Sequence, residues 1–248
     1  QYPQPDAVWR WQELNMALSE HRFDSAAQLS EALYNSCLPL LQQALQAQGS
    51  ATLLLSGGRT PLSFYSRLAQ ADLDWPHLQL GLVDERWLPV TDASSNEGAL
   101  RHCFAGNATA LQQLTGMYNG TASAQAAVAE CNARYAALQW PATVGLLGMG
   151  SDGHTASLFP GAHGLDNALT ASDYCAAIAA VPSAVTGSCT ERMTLTLHAL
   201  LQCRHLLLLI TGDDKWAVYQ RAKQQADKAL PLSLVLQQAT SLQVFWSP

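Results

Sequence analysis

Thr143-Val144-Gly145-Leu146-Leu147 is a short, unbroken apolar run that passes directly into Gly148-Met149-Gly150-Ser151-Asp152-Gly153-His154-Thr155-Ala156-Ser157-Leu158-Phe159-Pro160-Gly161. A run of this length reads as a strand covered on both faces, the pattern of a parallel sheet. The glycines that follow let the backbone turn sharply. Asp152 and His154 therefore arrive together at the carboxyl end of the strand. In open α/β sheets that end is where a site forms.

Outward from this strand the same alternation recurs. Apolar runs at 52–55, 78–83, 174–181, 205–210 and 242–246 predict further strands. Between them lie helical stretches with start and stop signals. Asp24 is placed to cap a helix with apolar positions Leu29, Leu33, Leu40, Leu41 and Leu45, ended by Gly49 and kinked or split by Pro39. Thr60-Pro61 sets a capping hydroxyl before a proline, with Leu62, Tyr65 and Leu68 on one face. Helices are also expected over 124–138 and 213–223. Together these predict one α/β domain over residues 1–248: a three-layer, mostly parallel sheet flanked by helices and joined by right-handed crossovers.

Composition narrows the function. Of the 248 residues 48% are hydrophobic and only 13% charged, so each charged residue at a strand end carries information. The net charge of −6 argues against nucleic acid or an anionic membrane as a partner. Cys37, Cys103, Cys131, Cys175, Cys189 and Cys203 are scattered, without a C-x-x-C pair, and read as reduced thiols of a cytoplasmic protein. No apolar run is long enough to span a bilayer, and the first residues lack a basic-then-apolar signal. Because the chain opens on Gln1, trimming or renumbering of at least one residue is expected.

Four more segments stand at predicted strand ends. Ser56-Gly57-Gly58-Arg59-Thr60-Pro61 opens a helix, where backbone N–H groups and the Thr60 hydroxyl favour an anion; it is neither G-x-G-x-x-G nor a Walker loop. Asp84-Glu85-Arg86-Trp87 puts three charges after a buried strand, which is costly unless they line a cleft or pair together. Downstream, Ser95-Asn96-Glu97 reads as a helix cap, with Asn96 near the same cleft. Glu191-Arg192-Met193-Thr194-Leu195-Thr196 and Thr211-Gly212-Asp213-Asp214-Lys215 offer Arg192 and Lys215 as phosphate counter-ions, Lys215 in the first turn of a helix. Asp152 beside His154 orients the imidazole and raises its basicity, as a general base near neutral pH requires.

In this order and spacing the segments resemble the 6-phosphogluconolactonase family, whose larger fold group includes glucosamine-6-phosphate deaminase and ribose-5-phosphate isomerase. The resemblance runs from about Asp24 to the last strand; Asp84-Glu85-Arg86 with Gly148 through Gly161 is its specific part. It implies a modified Rossmann-like fold and hydrolysis of 6-phosphoglucono-1,5-lactone to 6-phosphogluconate, a step of the pentose phosphate pathway. His154 would be the base, with Asp152 beside it and Arg86 holding substrate or developing charge. Ser56, Gly57, Gly58, Arg59, Thr60, Asp84, Glu85, Arg192 and Lys215 would bind substrate and phosphate. A lactone carbonyl is already electrophilic, so no metal or organic cofactor is implied, and a monomer is expected. Two positions depart from the family pattern: Arg59 stands where many relatives have Ser, and the last strand closes Val244-Phe245-Trp246 without an Asp.

Two rival readings have their own signatures. Deaminases of this fold group continue the G-x-G-x-D-G-H start with AFNEPG, whereas here Ala156-Ser157-Leu158-Phe159-Pro160 brings no carboxylate. A sugar-phosphate-sensing regulator would need a DNA-binding helix pair. The first twenty residues, with Trp9, Arg10 and Trp11, are too short and too weakly basic for one.

Overall fold

A computed structural model describes residues 18–248; Trp9, Arg10, Trp11 and the readings made of the first residues lie outside the described residues. The strands are, in chain order, β1 (Leu18–Arg22), β2 (Ala51–Leu55), β3 (Leu78–Leu82), β4 (Asp84–Arg86), β5 (Leu114–Thr115), β6 (Ala142–Gly148), β7 (Cys175–Ala179), β8 (Glu191–Leu195), β9 (Cys203–Thr211) and β10 (Leu242–Ser247). Seven of them form one parallel sheet in the order β1-β10-β9-β6-β2-β3-β5. Every residue of β2 is buried, as are all of β6 but the last, which is why their sequences show no alternation.

The helices are α1 (Ala26–Gln48), α2 (Leu62–Leu68), α3 (Asn96–Cys103), α4 (Ala108–Gln112), α5 (Ala124–Ala136), α6 (Leu165–Thr170), α7 (Leu197–Leu201), α8 (Asp213–Ala222) and α9 (Leu232–Gln238). They flank the sheet. α1 lies against β2, β6 and β10 and buries Leu29, Leu33, Cys37, Leu41 and Ala44, one stripe at helical spacing. Gly49 ends it in the left-handed conformation, its N–H donating to the Leu45 carbonyl. α5 packs on β7, and its Tyr135 hydroxyl accepts from the Leu82 N–H at 2.9 Å. That bond satisfies a buried donor at the end of β3.

Two local expectations are corrected and a third is narrowed. Ser25, not Asp24, caps α1: its Oγ accepts from the Gln28 N–H, while the Asp24 N–H donates to Gln28 Oε1. Pro39 does not split α1, because the buried stripe continues on both sides of it and holds the helix on the sheet. Thr60 makes no capping bond; α2 starts after Pro61, which leaves the Thr60 hydroxyl on the surface of a cleft.

A larger difference is the second sheet. β4, β8 and β7 form a three-stranded antiparallel sheet, so the run read at 174–181 is not part of the parallel layer. The segments 84–86 and 191–195, read as charged strand-end motifs, are themselves strands. Short apolar stretches do not reveal their partners, since the choice between parallel and antiparallel pairing is made by remote chain.

Candidate active site

From β2 the chain steps outward to β3 and β5, while β6, β9 and β10 are laid down on the opposite side of β2. The order of strands therefore reverses between β2 and β6. A crevice opens at such a switch point, outside the carboxyl ends of the two strands. Here it is a cleft of about 650 Å³, entered by the loops that follow β2, β6 and β9.

One wall is the loop after β6. His154 Nδ1 lies 2.5 Å from Asp152 Oδ1, and the same oxygen accepts the His154 backbone N–H at 3.1 Å. The carboxylate thus fixes the ring and leaves Nε2 as the nitrogen free for chemistry. Burial raises the Asp152 pKa, but the hydrogen bond and charge of His154 outweigh it, and the carboxyl sits below its ordinary value. Phe159 packs on the imidazole, ring centres 4.2 Å apart. Gly150 has no room for a side chain: a Cβ there would stand 2.1 Å from His154 Cε1. The next turn is strained, with Ala156 at φ 48, and it is closed by Thr155 Oγ1 donating to the Gly148 carbonyl.

Cations line the same cleft. Arg59 and Thr60 from the loop after β2, Arg86 from β4 and Lys215 from α8 all line the cleft. Arg86 is steered by a 2.6 Å bond from its Nη1 to the Ser94 carbonyl. Lys215 sits in the first turn of α8, which is braced by Trp216 packing on Trp246, with Arg22 over the Trp216 ring. The two glycines of the β2 loop do different work. Gly58 adopts φ 91, which the turn requires, whereas a Cβ on Gly57 would collide with the Asn96 side chain at 2.0 Å.

The Asp84-Glu85-Arg86 triplet divides because it is a strand, in which successive side chains point to opposite faces. Asp84 and Arg86 line the cleft. Asp84 Oδ2 accepts from Ser157 Oγ at 2.6 Å and Oδ1 from Asn96 Nδ2 at 3.3 Å. Glu85, expected among the substrate contacts, turns the other way and is fully buried. Its carboxylate accepts the backbone N–H groups of Arg86, Asn96 and Glu97 and the Ser95 hydroxyl, all within 3.0 Å. It anchors the start of α3, and burial pushes its pKa up to about 7 against the pull of those donors.

Arg192, expected to complete the phosphate pocket, pairs with Arg86 across β4 and β8 but is only 3% exposed. Its Nη2 donates to the Thr186 carbonyl, its guanidinium sits over Phe159, and Nε and Nη1 have no partner among the described residues. Thr186 belongs to the connection between β7 and β8, residues 180–190. Burial, then the nearby Arg86 charge, lowers the Arg192 pKa. Ala184 and Val185 of that connection line the cleft, as do Met149 and Ala156. The apolar residues among them carry no sequence signal of a site; the signal for Asn96, its place after the charged triplet, was weak.

Among the described residues no helix is long and apolar enough to cross a membrane, and no group of three or more His, Cys, Asp or Glu assembles as a metal site. All six cysteines are unpaired.

Comparison with known proteins follows the same lines. Residues 24–246 match the family model described as glucosamine-6-phosphate isomerases/6-phosphogluconolactonase. The 6-phosphogluconolactonase of Rhizobium meliloti (strain 1021) is 34% identical over 235 residues, 94% of this chain and 100% of that one. A crystal structure of a 6-phosphogluconolactonase from Shewanella baltica OS155 superimposes with a TM-score of 0.87 at 33% identity, over 93% of this chain and 98% of the other. A monomeric glucosamine-6-phosphate deaminase shares the fold at a TM-score of 0.74, with 17% identity.

Proposed function

The chain belongs to the family of glucosamine-6-phosphate isomerases and 6-phosphogluconolactonases, and from that membership we propose that it hydrolyses 6-phosphoglucono-1,5-lactone to 6-phosphogluconate. The observation that carries this reading is the 2.5 Å contact between His154 and Asp152 in a cleft that Arg59, Arg86 and Lys215 also line. Relatives at 33–34% identity are named as lactonases, whereas the deaminase shares the fold at much lower identity.

His154 Nε2 takes a proton from water, and the oxygen of that water attacks the lactone carbonyl. Asp152 stabilises the imidazolium that results. Arg86 offsets the charge of the tetrahedral oxyanion. Collapse breaks the bond to the ring oxygen, which recovers the proton from His154, and the product carboxylic acid ionises to solvent. The Gly57–Thr60 loop and Lys215 hold the phosphate, remote from the reacting carbon, and so position the carbonyl. Isomerisation and deamination require a proton to move between adjacent carbons, and Asp84, the acid of the cleft wall, is held by Ser157 and Asn96.

The purified protein should accelerate acid release from the phosphorylated lactone above the spontaneous rate, and should release no ammonia from glucosamine 6-phosphate. His154→Ala should lower kcat by about two orders of magnitude or more, as for a lost general base. Ammonia release that vanishes in Asp84→Asn would replace this reading with a deaminase.

A further inference from the structure

Asn96 is the second polar group that Asp84 holds in the cleft, and its amide is oriented by its surroundings. Nδ2 donates to the Asp84 backbone carbonyl at 3.0 Å and to Asp84 Oδ1 at 3.3 Å. Both partners are acceptors, so the NH2 end of the carboxamide faces Asp84 and the oxygen faces away. Oδ1 lies over Gly57, in space that any other residue at 57 would fill: a Cβ there would stand 2.0 Å from it. Among the described residues Oδ1 accepts no hydrogen bond, yet it is not sealed from solvent, and Asn96 forms part of the cleft wall.

The backbone beneath it is fixed as firmly. Glu85 Oε1 accepts the Asn96 N–H at 2.8 Å and Oε2 accepts the Glu97 N–H at 2.7 Å, while Ser95 caps α3 by accepting from Gly98. Two carboxylates on consecutive residues of β4 thus hold Asn96, one through its main chain and one through its side chain. The main-chain bonds satisfy the first N–H groups of α3, which Ser95 does not reach, whereas the bonds to Asp84 fix the amide itself. The amide is thereby left with one carbonyl oxygen held over Gly57 in the cleft wall.

Resting on the lactonase reading above, we infer that Asn96 is a specificity-determining residue whose Oδ1 accepts a hydrogen bond from one ring hydroxyl of the sugar lactone. An amide oxygen selects a donor and repels a second acceptor. The residue therefore separates polyhydroxylated sugar lactones from lactones with hydrogen or a carbonyl at that carbon. An acceptor covered by a bound substrate that offers it no donor loses its access to water as well, which makes the discrimination larger than the bond alone.

The test is a comparison of substrates on one enzyme. The parent 6-phospholactone and its 2-, 3- and 4-deoxy analogues are assayed with wild type, Asn96→Ala and Gly57→Ala. In wild type one deoxy position should lower kcat/KM by about ten- to a hundredfold. In Asn96→Ala that penalty should disappear while the penalties at the other positions remain. Gly57→Ala leaves the Asn96 backbone intact but pushes its amide aside, and should erase the same penalty. Each ratio is taken within one preparation, so the fraction of folded protein cancels. If the wild type opens the phosphorylated lactones but every deoxy penalty survives in both variants, or none exists, the assignment of Asn96 fails alone. A wild type that opens none of them overturns the lactonase reading, and this inference with it.

Discussion

Gly150→Ala tests the catalytic arrangement without touching a chemical group. The new Cβ would lie 2.1 Å from His154 Cε1, 2.2 Å from Nδ1 and 2.7 Å from Asp152 Oδ1. To reach ordinary van der Waals contact at 3.4 Å the ring must retreat by about 1.3 Å. Phe159 already crowds the ring, with its centre 4.2 Å from that of the imidazole. The imidazole must therefore tilt, and the 2.5 Å bond to Asp152 passes beyond hydrogen-bonding range. Gly150 does not adopt a positive φ, so alanine adds no backbone strain and the fold should persist. A base displaced by about 1 Å and deprived of its orienting carboxylate costs about a hundredfold in kcat, with KM nearly unchanged. The assay is acid release at constant pH from the phosphorylated lactone, with spontaneous ring opening subtracted, alongside circular dichroism of the variant. A folded Gly150→Ala enzyme with kcat within about threefold of wild type, on the scale of the effect expected here, would refute the role given to His154.

Two further outcomes follow from the geometry. Lys215→Ala should raise KM for the phosphorylated lactone by about ten- to a hundredfold, the loss of one charge-assisted contact, and should weaken competition by inorganic phosphate; equal wild-type turnover of unphosphorylated gluconolactone would remove the phosphate pocket. Glu85 has a folded pKa of about 7, above its ordinary 4.5, so its contribution to stability is full below pH 4.5 and is lost as pH rises through 7. That loss is about 3 kcal/mol and should be absent from urea melts of Glu85→Gln across the same range; an identical pH dependence in both proteins would show that Glu85 does not titrate there.

Much of the candidate site was legible along the chain because its chemistry is local. Asp152 and His154 are two residues apart on one loop, and two such groups at a strand end meet whatever the rest of the fold does. Gly58 and Lys215 were legible for the same reason, a turn and a helix start being encoded by their own neighbours. The central strands were readable because burial on both faces leaves uninterrupted apolar runs. The tertiary structure alone decided the rest, since it depended on which distant segment each residue met. Pairing of β4 with β8 turned Asp84-Glu85-Arg86 from a cluster into an alternation, sending Glu85 to the start of α3 and leaving Asp84 and Arg86 in the cleft. Arg192 was buried and met the Thr186 carbonyl, and Asn96 came to rest on Gly57, 39 positions away in the chain. A side chain's face is fixed by the partner of its strand, and a single sequence carries only one half of that pair.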